Sequence, residues 1–204
     1  MTEVYFVRHA EPNFKNHDDL TRELTEKGMR DRLLVTKFLW DKQIAAVFSS
    51  PYKRAVDTVQ DFADRAGLTV QTDPDLRERR VDSMWIEDFD SFCRQQWADF
   101  DYRLTDGETL RMVQTRNLAA LRRILAQCPE QAVAVGSHGT ALSTLIHYFD
   151  PSFGHADFVS IQKLMPWIVR LTFDGTRCTS VTEYDVFTGQ VRTRTPVVSE
   201  IRMG

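Results

Sequence analysis

The sequence lacks a long apolar run, an excess of one charge and more than a handful of cysteines. Without a stretch of about twenty apolar residues, no membrane span is expected. The opening MTEVYFVRHAEP carries a short apolar strand, not the basic region and long apolar core of a signal peptide. Cys93, Cys128 and Cys178 are odd in number, widely spaced and free of any CxxC pair. That argues against a disulfide framework and against a zinc cluster. Three reduced, mostly buried thiols in a cytoplasmic protein are the simpler reading. The formal net charge is −3 and the basic residues are dispersed among acids. Nucleic-acid partners are therefore not expected, because phosphate-backbone binding needs clustered Lys and Arg. No His-Glu spacing of a metal site occurs, and there is no internal repeat or low-complexity segment.

What the sequence does contain fits one globular domain. Its 204 residues are 42% hydrophobic and 27% charged, ordinary values for a chain long enough to bury a sizeable core. Val4–Val7 reads as a strand. Glu26–Trp40 carries Met29, Leu33, Leu34, Phe38 and Leu39 at helical spacing, with Thr25 as N-cap. Ile44–Phe48 reads as a second strand, followed by a helix for which Ser50 suits the N-cap and Pro51 the first helical position. That helix runs through Ala55, Val59, Phe62 and Ala63 to Gly67. A third strand is placed at Leu68–Gln71. From Asp82 to Leu104 the periodicity is weak and aromatics are dense, Trp85 among them. Thr109–Gln127 reads as a helix, Ala132–Val135 as a strand and Thr140–Phe149 as a helix. Trp167–Phe173 and Thr179–Val186 alternate like strands around an Asp174-Gly175 turn.

Alternating strands and helices closed by a hairpin predict an α/β domain with a mostly parallel central sheet covered on both faces. Ligands of such folds gather beyond the carboxyl ends of the strands. Three of those ends carry polar clusters: Arg8-His9-Ala10-Glu11, Ser49-Ser50-Pro51-Tyr52-Lys53-Arg54 and Ser137-His138-Gly139-Thr140. If the strands are neighbours, two histidines and two arginines converge on one crevice. Arginine forks suit a phosphate dianion, and a helix start near Arg54 adds free N–H groups. A neutral imidazole supplies a nucleophile for phosphorus. A departing alkoxide then needs a proton from a nearby carboxylic acid. Fixed beside Arg8 at a strand end, His9 is better placed for attack than His138.

The Arg8-His9-Ala10-Glu11 block resembles the Arg-His-Gly-Glu signature of the histidine phosphatase superfamily, which includes the cofactor-dependent phosphoglycerate mutases. Leu24-Thr25-x-x-Gly28, Ser49-Ser50-Pro51-x-x-Arg54-Ala55-x-x-Thr58, Leu76-Arg77-Glu78, Gly107-Glu108-Thr109 and Ser137-His138-Gly139 are similar to its further blocks, in family order from residue 4 to about residue 145. The resemblance implies a three-layer α/β/α sandwich and a phosphohistidine on His9. It implies that Arg8, Arg54 and His138 hold the phosphoryl oxygens, and that Glu78 protonates the leaving group and then activates water. Three departures stand out. Ala10 replaces the usual glycine, and Lys15 sits where the family often has Asn, leaving Asn13 and Asn16 as candidates for substrate contacts. Arg79-Arg80-Val81-Asp82 replaces an aromatic-glycine continuation after the acid. Thr140, where mutases tend to have Asn, is a further candidate contact.

The leading expectation is a metal-independent phosphomonoesterase acting on a small phosphorylated metabolite. It forms one domain over residues 1–204, with residues 79–108 as a lid or cap. The alternative is a phosphoglycerate mutase, which alone would call for 2,3-bisphosphoglycerate as phosphoryl donor. A catalytically silent phosphate-binding module is the third reading. His17, His147 and His155 fit no pattern and read as solvated or structural, and Asp18-Asp19 reads as a solvated loop pair. Neither the physiological substrate nor the oligomeric state is readable.

Overall fold

The computed structural model describes residues 1–84 and 86–201, so Trp85 lies outside the described residues. Seven strands form one sheet: β1 (Thr2–Arg8), β2 (Ile44–Ser49), β3 (Val70–Thr72), β4 (Ala132–Ser137), β5 (Trp167–Asp174), β6 (Arg177–Tyr184) and β7 (Val191–Arg194). Their order is β3-β2-β4-β1-β5-β6-β7. The first four strands pair in parallel. The closing hairpin and β7 add three antiparallel pairings, so the sheet is mixed, with parallel strands where the expected site lies. Six helices flank it: α1 (Glu26–Leu39), α2 (Lys53–Ala66), α3 (Phe89–Ala98), α4 (Leu110–Gln127), α5 (Gly139–Phe149) and α6 (His155–Ile161). Two apolar clusters sandwich the sheet. One gathers Phe6, Val135 and Leu171 with α4 and α5, and the other joins Tyr5, Val47 and Ala134 with α1 and α2.

Local chemistry explains the element ends. The Thr25 hydroxyl accepts from Gly28 N at 3.0 Å and so caps α1 as expected. Gly67 ends α2 with φ of 67°, a left-handed conformation that glycine adopts without steric cost. At Gly28 a Cβ would stand 2.2 Å from the Glu11 carbonyl oxygen, so the loop after β1 approaches α1 too closely for any side chain.

Several expectations shift. The α2 helix begins at Lys53 with Tyr52 as its cap residue, not at Pro51 with Ser50 as cap; the Ser50 hydroxyl accepts from Tyr52 N at 3.2 Å, in the turn before the helix. The third strand is Val70–Thr72. On α1 the buried residues are Gly28, Val35, Thr36 and Leu39, while Met29 and Leu33 are exposed. Thr36 is drawn inward because its hydroxyl donates to Asp61 of α2 at 2.7 Å. The weakly periodic stretch contains α3, whose Phe92, Cys93 and Trp97 join the core with Phe100. Among the described residues no helix is long and apolar enough to cross a membrane.

Candidate active site

The parallel register brings the three polar clusters together. Arg8 at the end of β1 lies opposite Ser137 of β4, and Ser49 of β2 lies opposite Gly136. His9 N donates to Ser137 O at 3.1 Å and Ser50 N to Gly136 O at 2.9 Å, so the ladder continues into all three loops. A cavity of about 470 Å³ opens there, lined by Arg8, His9, Asp19, Arg22, Arg54, Glu78, Arg79 and Thr140 among others.

His9 is 6% exposed, and its Nδ1 lies 2.8 Å from Ala10 O. A carbonyl oxygen can only accept, so Nδ1 carries the proton and Nε2 keeps a free lone pair. Burial, and then the charges of Arg54 and Arg8, hold the imidazole well below its ordinary pKa. The ring is therefore neutral at pH 7, the form in which nitrogen can attack phosphorus. The Ala10 peptide is fixed in turn: its N–H donates to the Thr58 hydroxyl at 3.0 Å, and that hydroxyl donates to Arg54 O at 2.7 Å. Thr58 thus ties the His9 turn to the first turn of α2.

His138 is fully buried, with its ring centroid 5.3 Å from that of His9. Its Nε2 is 2.8 Å from the Ser50 hydroxyl, and Nδ1 is buried without a protein partner. When Ser50 donates to Nε2, the proton of His138 sits on Nδ1, a donor left free for an oxyanion. Desolvation, then Arg54 and His9, keep this imidazole neutral as well.

The two arginines are held differently. Arg8 donates Nη1 to the carbonyls of Ile161 and Leu164, at 2.5 and 3.3 Å, while its Nε is buried and unpartnered. A Cβ on Gly139 would press on that guanidinium at 3.1 Å, which explains a glycine after His138. Burial lowers Arg8 to about 10, opposed by the charge of Glu78; it is still a cation at neutral pH. Arg54, 3% exposed, is gripped by Asp19 through the main-chain oxygen at 2.7 Å and the carboxylate at 3.2 Å.

Glu78 also lines the cavity. Its Oε1 accepts from Arg79 N at 2.8 Å and Ala141 N at 3.0 Å, and its Oε2 from Thr140 N at 2.9 Å. It therefore caps α5, whose own N-cap residue His138 makes no side-chain cap bond. With both Oε1 positions taken, Oε2 keeps one acceptor position, the place for a transferable proton. Behind it, the Glu108 carboxylate takes Arg116 Nε and Nη2, each at 2.9 Å, and Arg80 N at 3.0 Å. Arg116 also donates to the carbonyls of Asp75, Arg77 and Glu78. That network fixes the segment bearing Glu78 to α4.

The structure thus brings Arg8, His9, Arg54, Glu78 and Thr140 to the wall of one cavity, while His138 is fully buried beside His9 and does not itself line it. Asn13 and Asn16 do not line it. Their amides donate to Glu23 at 2.6 and 2.9 Å and brace the loop. Asp19, read as solvated, is exposed as expected and is also the ion-pair partner of both Arg54 and Arg22. Its signal was weak, since nothing in a loop acid pair says which arginine it will meet. His147 is structural: its Nδ1 donates to Phe153 O at 2.8 Å, and its ring packs on Trp97 and Phe100. Among the described residues no group of three or more His, Cys, Asp or Glu could hold a metal ion.

The family model of the histidine phosphatase superfamily (branch 1) matches residues 4–185. The chain belongs to this family. It is a phosphoryl-transfer enzyme of the phosphohistidine type. Among curated relatives, the probable phosphoglycerate mutase GpmB of Yersinia pestis (strain Pestoides F) is 30% identical over 158 residues, 72% of this chain and 74% of the relative. Among solved structures, Bacillus stearothermophilus YhfR superposes with a TM-score of 0.70 at 22% identity, covering 96% of both chains. A mycobacterial glucosyl-3-phosphoglycerate phosphatase superposes at 0.68 and 20% identity, covering 97% of this chain and 99% of that one. These two likenesses establish the fold of this histidine phosphatase.

Proposed function

We propose that this histidine phosphatase is a phosphomonoesterase that hydrolyses a small phosphate ester through phospho-His9. The observation that carries the reading is the free Nε2 lone pair of a neutral, buried imidazole among cavity arginines. In the first step Nε2 bonds to phosphorus, the P–O ester bond breaks, and the proton on Glu78 Oε2 goes to the departing alcohol. In the second, water attacks phosphorus, Glu78 takes its proton, and the P–N bond breaks to free phosphate and His9. Arg8, Arg54 and His138 Nδ1 stabilise the phosphoryl oxygens as charge spreads over them. Residues 79–108 act as a cap, supported by the presence of Arg79, Val81, Phe89 and Asp90 in the cavity wall. We place the enzyme in the cytoplasm, a reading supported by Cys93, Cys128 and Cys178, all free and buried.

A mutase is the second reading, favoured by the name of the Yersinia relative. Against it stands Thr140 where mutases tend to carry Asn, and Arg122-Arg123, which lie on α4 and not on the cavity wall. Rapid quench with a phosphorylated substrate should trap an acid-labile phosphoryl group on His9. An unlabelled wild-type protein, with turnover intact in His9→Ala, would overturn the mechanism. With 3-phosphoglycerate, phosphate release should outpace isomer formation; the reverse assigns a mutase.

A further inference from the structure

Helix α1 presents more apolar surface than its own sheet covers. Val35 and Leu39 are buried, whereas Met29, Leu33 and Trp40 are 41, 46 and 62% exposed. At about 100° per residue these three fall within about 40° of one another, in a single stripe along the helix. Beside the stripe a groove of about 370 Å³ runs between α1 and α2, lined by Leu33, Thr36, Lys37, Trp40, Asp61 and Arg65. Scattered exposed apolar residues are ordinary, but a continuous stripe ending in an indole marks a contact surface. Tryptophan in particular is enriched where interfaces draw their energy.

Charge is distributed unevenly on the two sides of the stripe. Thr36 lies on the α2 side, since its hydroxyl donates to Asp61. Arg30 and Lys37 lie on the other side, exposed, with no carboxylate oxygen within 4.0 Å among the described residues. By contrast, Lys27, Lys53 and Arg65 each hold an acid one turn away. On α2, Asp57, Asp61 and Asp64 follow one another at helical spacing, along one face. Asp57 and Asp61 have cations of their own. Asp64 is exposed and accepts only from the Gln60 amide, at 2.7 Å. Read across α2 and then α1, the surface runs from acids through the apolar stripe to cations.

We propose that this face is a homodimer interface, in which α1 packs on α1 of a second copy about a two-fold axis running along the stripe. Such an axis lays each stripe on its own copy and exchanges the two sides. The cations of one molecule then meet the α2 acids of the other. An axis across the helix would instead set cation against cation. Charge complementarity thus selects a second copy of this chain and one symmetry. The face is about 20 Å long at 1.5 Å per residue, small for a specific interface, so the dimer is reversible. None of the stripe residues lines the active-site cavity, and the inference stands apart from the reaction.

Sedimentation equilibrium of the wild-type protein from about 1 to 500 µM should show monomer giving way to dimer. Trp40→Glu should leave a monomer throughout that range. Arg30→Glu combined with Lys37→Glu should weaken dimerisation by about tenfold or more. Adding Asp64→Lys to that double variant should restore it, an outcome that damage to the fold could not produce. An unchanged circular dichroism spectrum in each variant separates loss of the interface from loss of structure. A wild type that stays monomeric at the highest concentration overturns the inference and leaves the face to a different partner. A dimer that survives Trp40→Glu overturns it too, by placing the contact elsewhere. Charge reversal without effect, or without rescue by Asp64→Lys, overturns the proposed two-fold.

Discussion

At the scale of single residues, the site rests on two imidazoles kept neutral by burial and by neighbouring arginines. Their folded-state pKa values lie below the unfolded value of 6.5. Above about pH 6.5 both states are neutral and stability is unaffected. Below it the unfolded chain binds protons that the folded chain refuses, so stability falls as pH falls, by up to about 1.4 kcal/mol per pH unit for each histidine. Urea unfolding at pH 7.5 and 5.5 should therefore show a smaller acid loss in His138→Gln than in the wild type; equal losses would refute the assignment. Thr58 gives a second test. In Thr58→Val the buried Ala10 N–H loses its acceptor, at a cost of about 1–3 kcal/mol. Because that N–H fixes the His9 turn, kcat should drop as well, and a stable variant with full activity would separate the two roles. His9, Arg8, Arg54 and His138 were legible in the sequence because each sits in a short run next to a strand end. Asp19, Ser50 and Arg79 were not. Each works through a partner 35, 88 or 17 residues away, and no local pattern encodes that distance.

Among the elements, α5 and α4 hold the segment between β3 and α3 that carries Glu78. Glu78 caps α5 through Thr140 N and Ala141 N, and Arg116 of α4 holds three carbonyls of the Glu78 segment. Arg116→Met should cost about 3 kcal/mol, the low end for a broken buried pair, since Arg77 and Arg80 N remain on Glu108. It should also slow esters of poorly acidic alcohols more than p-nitrophenyl phosphate, because only the former need a well-placed proton; equal slowing would remove Arg116 from the positioning of Glu78. Strongly periodic elements, α4 and the strands β1, β2 and β4, were readable to within a residue or two. The α3 helix was not, because its apolar residues face both the core and the cavity, and a surface split between two environments blurs the helical period. The α2 start was misplaced by two residues. Ser50 has the chemistry of a cap, but its hydroxyl accepts from Tyr52 N, in the turn that precedes the helix.

For the whole molecule, one binding event should link site and stability. An anion that binds only the folded state at 100 times its Kd adds about 2.7 kcal/mol. Inorganic phosphate at that excess should raise the melting temperature of the wild type by several degrees, and Arg54→Met should abolish the shift; an undiminished shift would place phosphate elsewhere. The sequence by itself determined the α/β class, the three strand-end clusters and their order, because hydrophobic periodicity and strand ends are local properties of a chain. It also carried the family, through blocks spread from residue 4 to about residue 145. Only the tertiary structure decided that β4 lies between β1 and β2, which sets the two histidine rings 5.3 Å apart. Only it decided which carboxylate each arginine meets. Asn13 and Asn16 turned to Glu23, Asp19 turned to Arg54, and Arg79 was left buried without a carboxylate. Those outcomes depend on burial and on charges brought together from distant parts of the chain, and neither is a property of neighbouring residues.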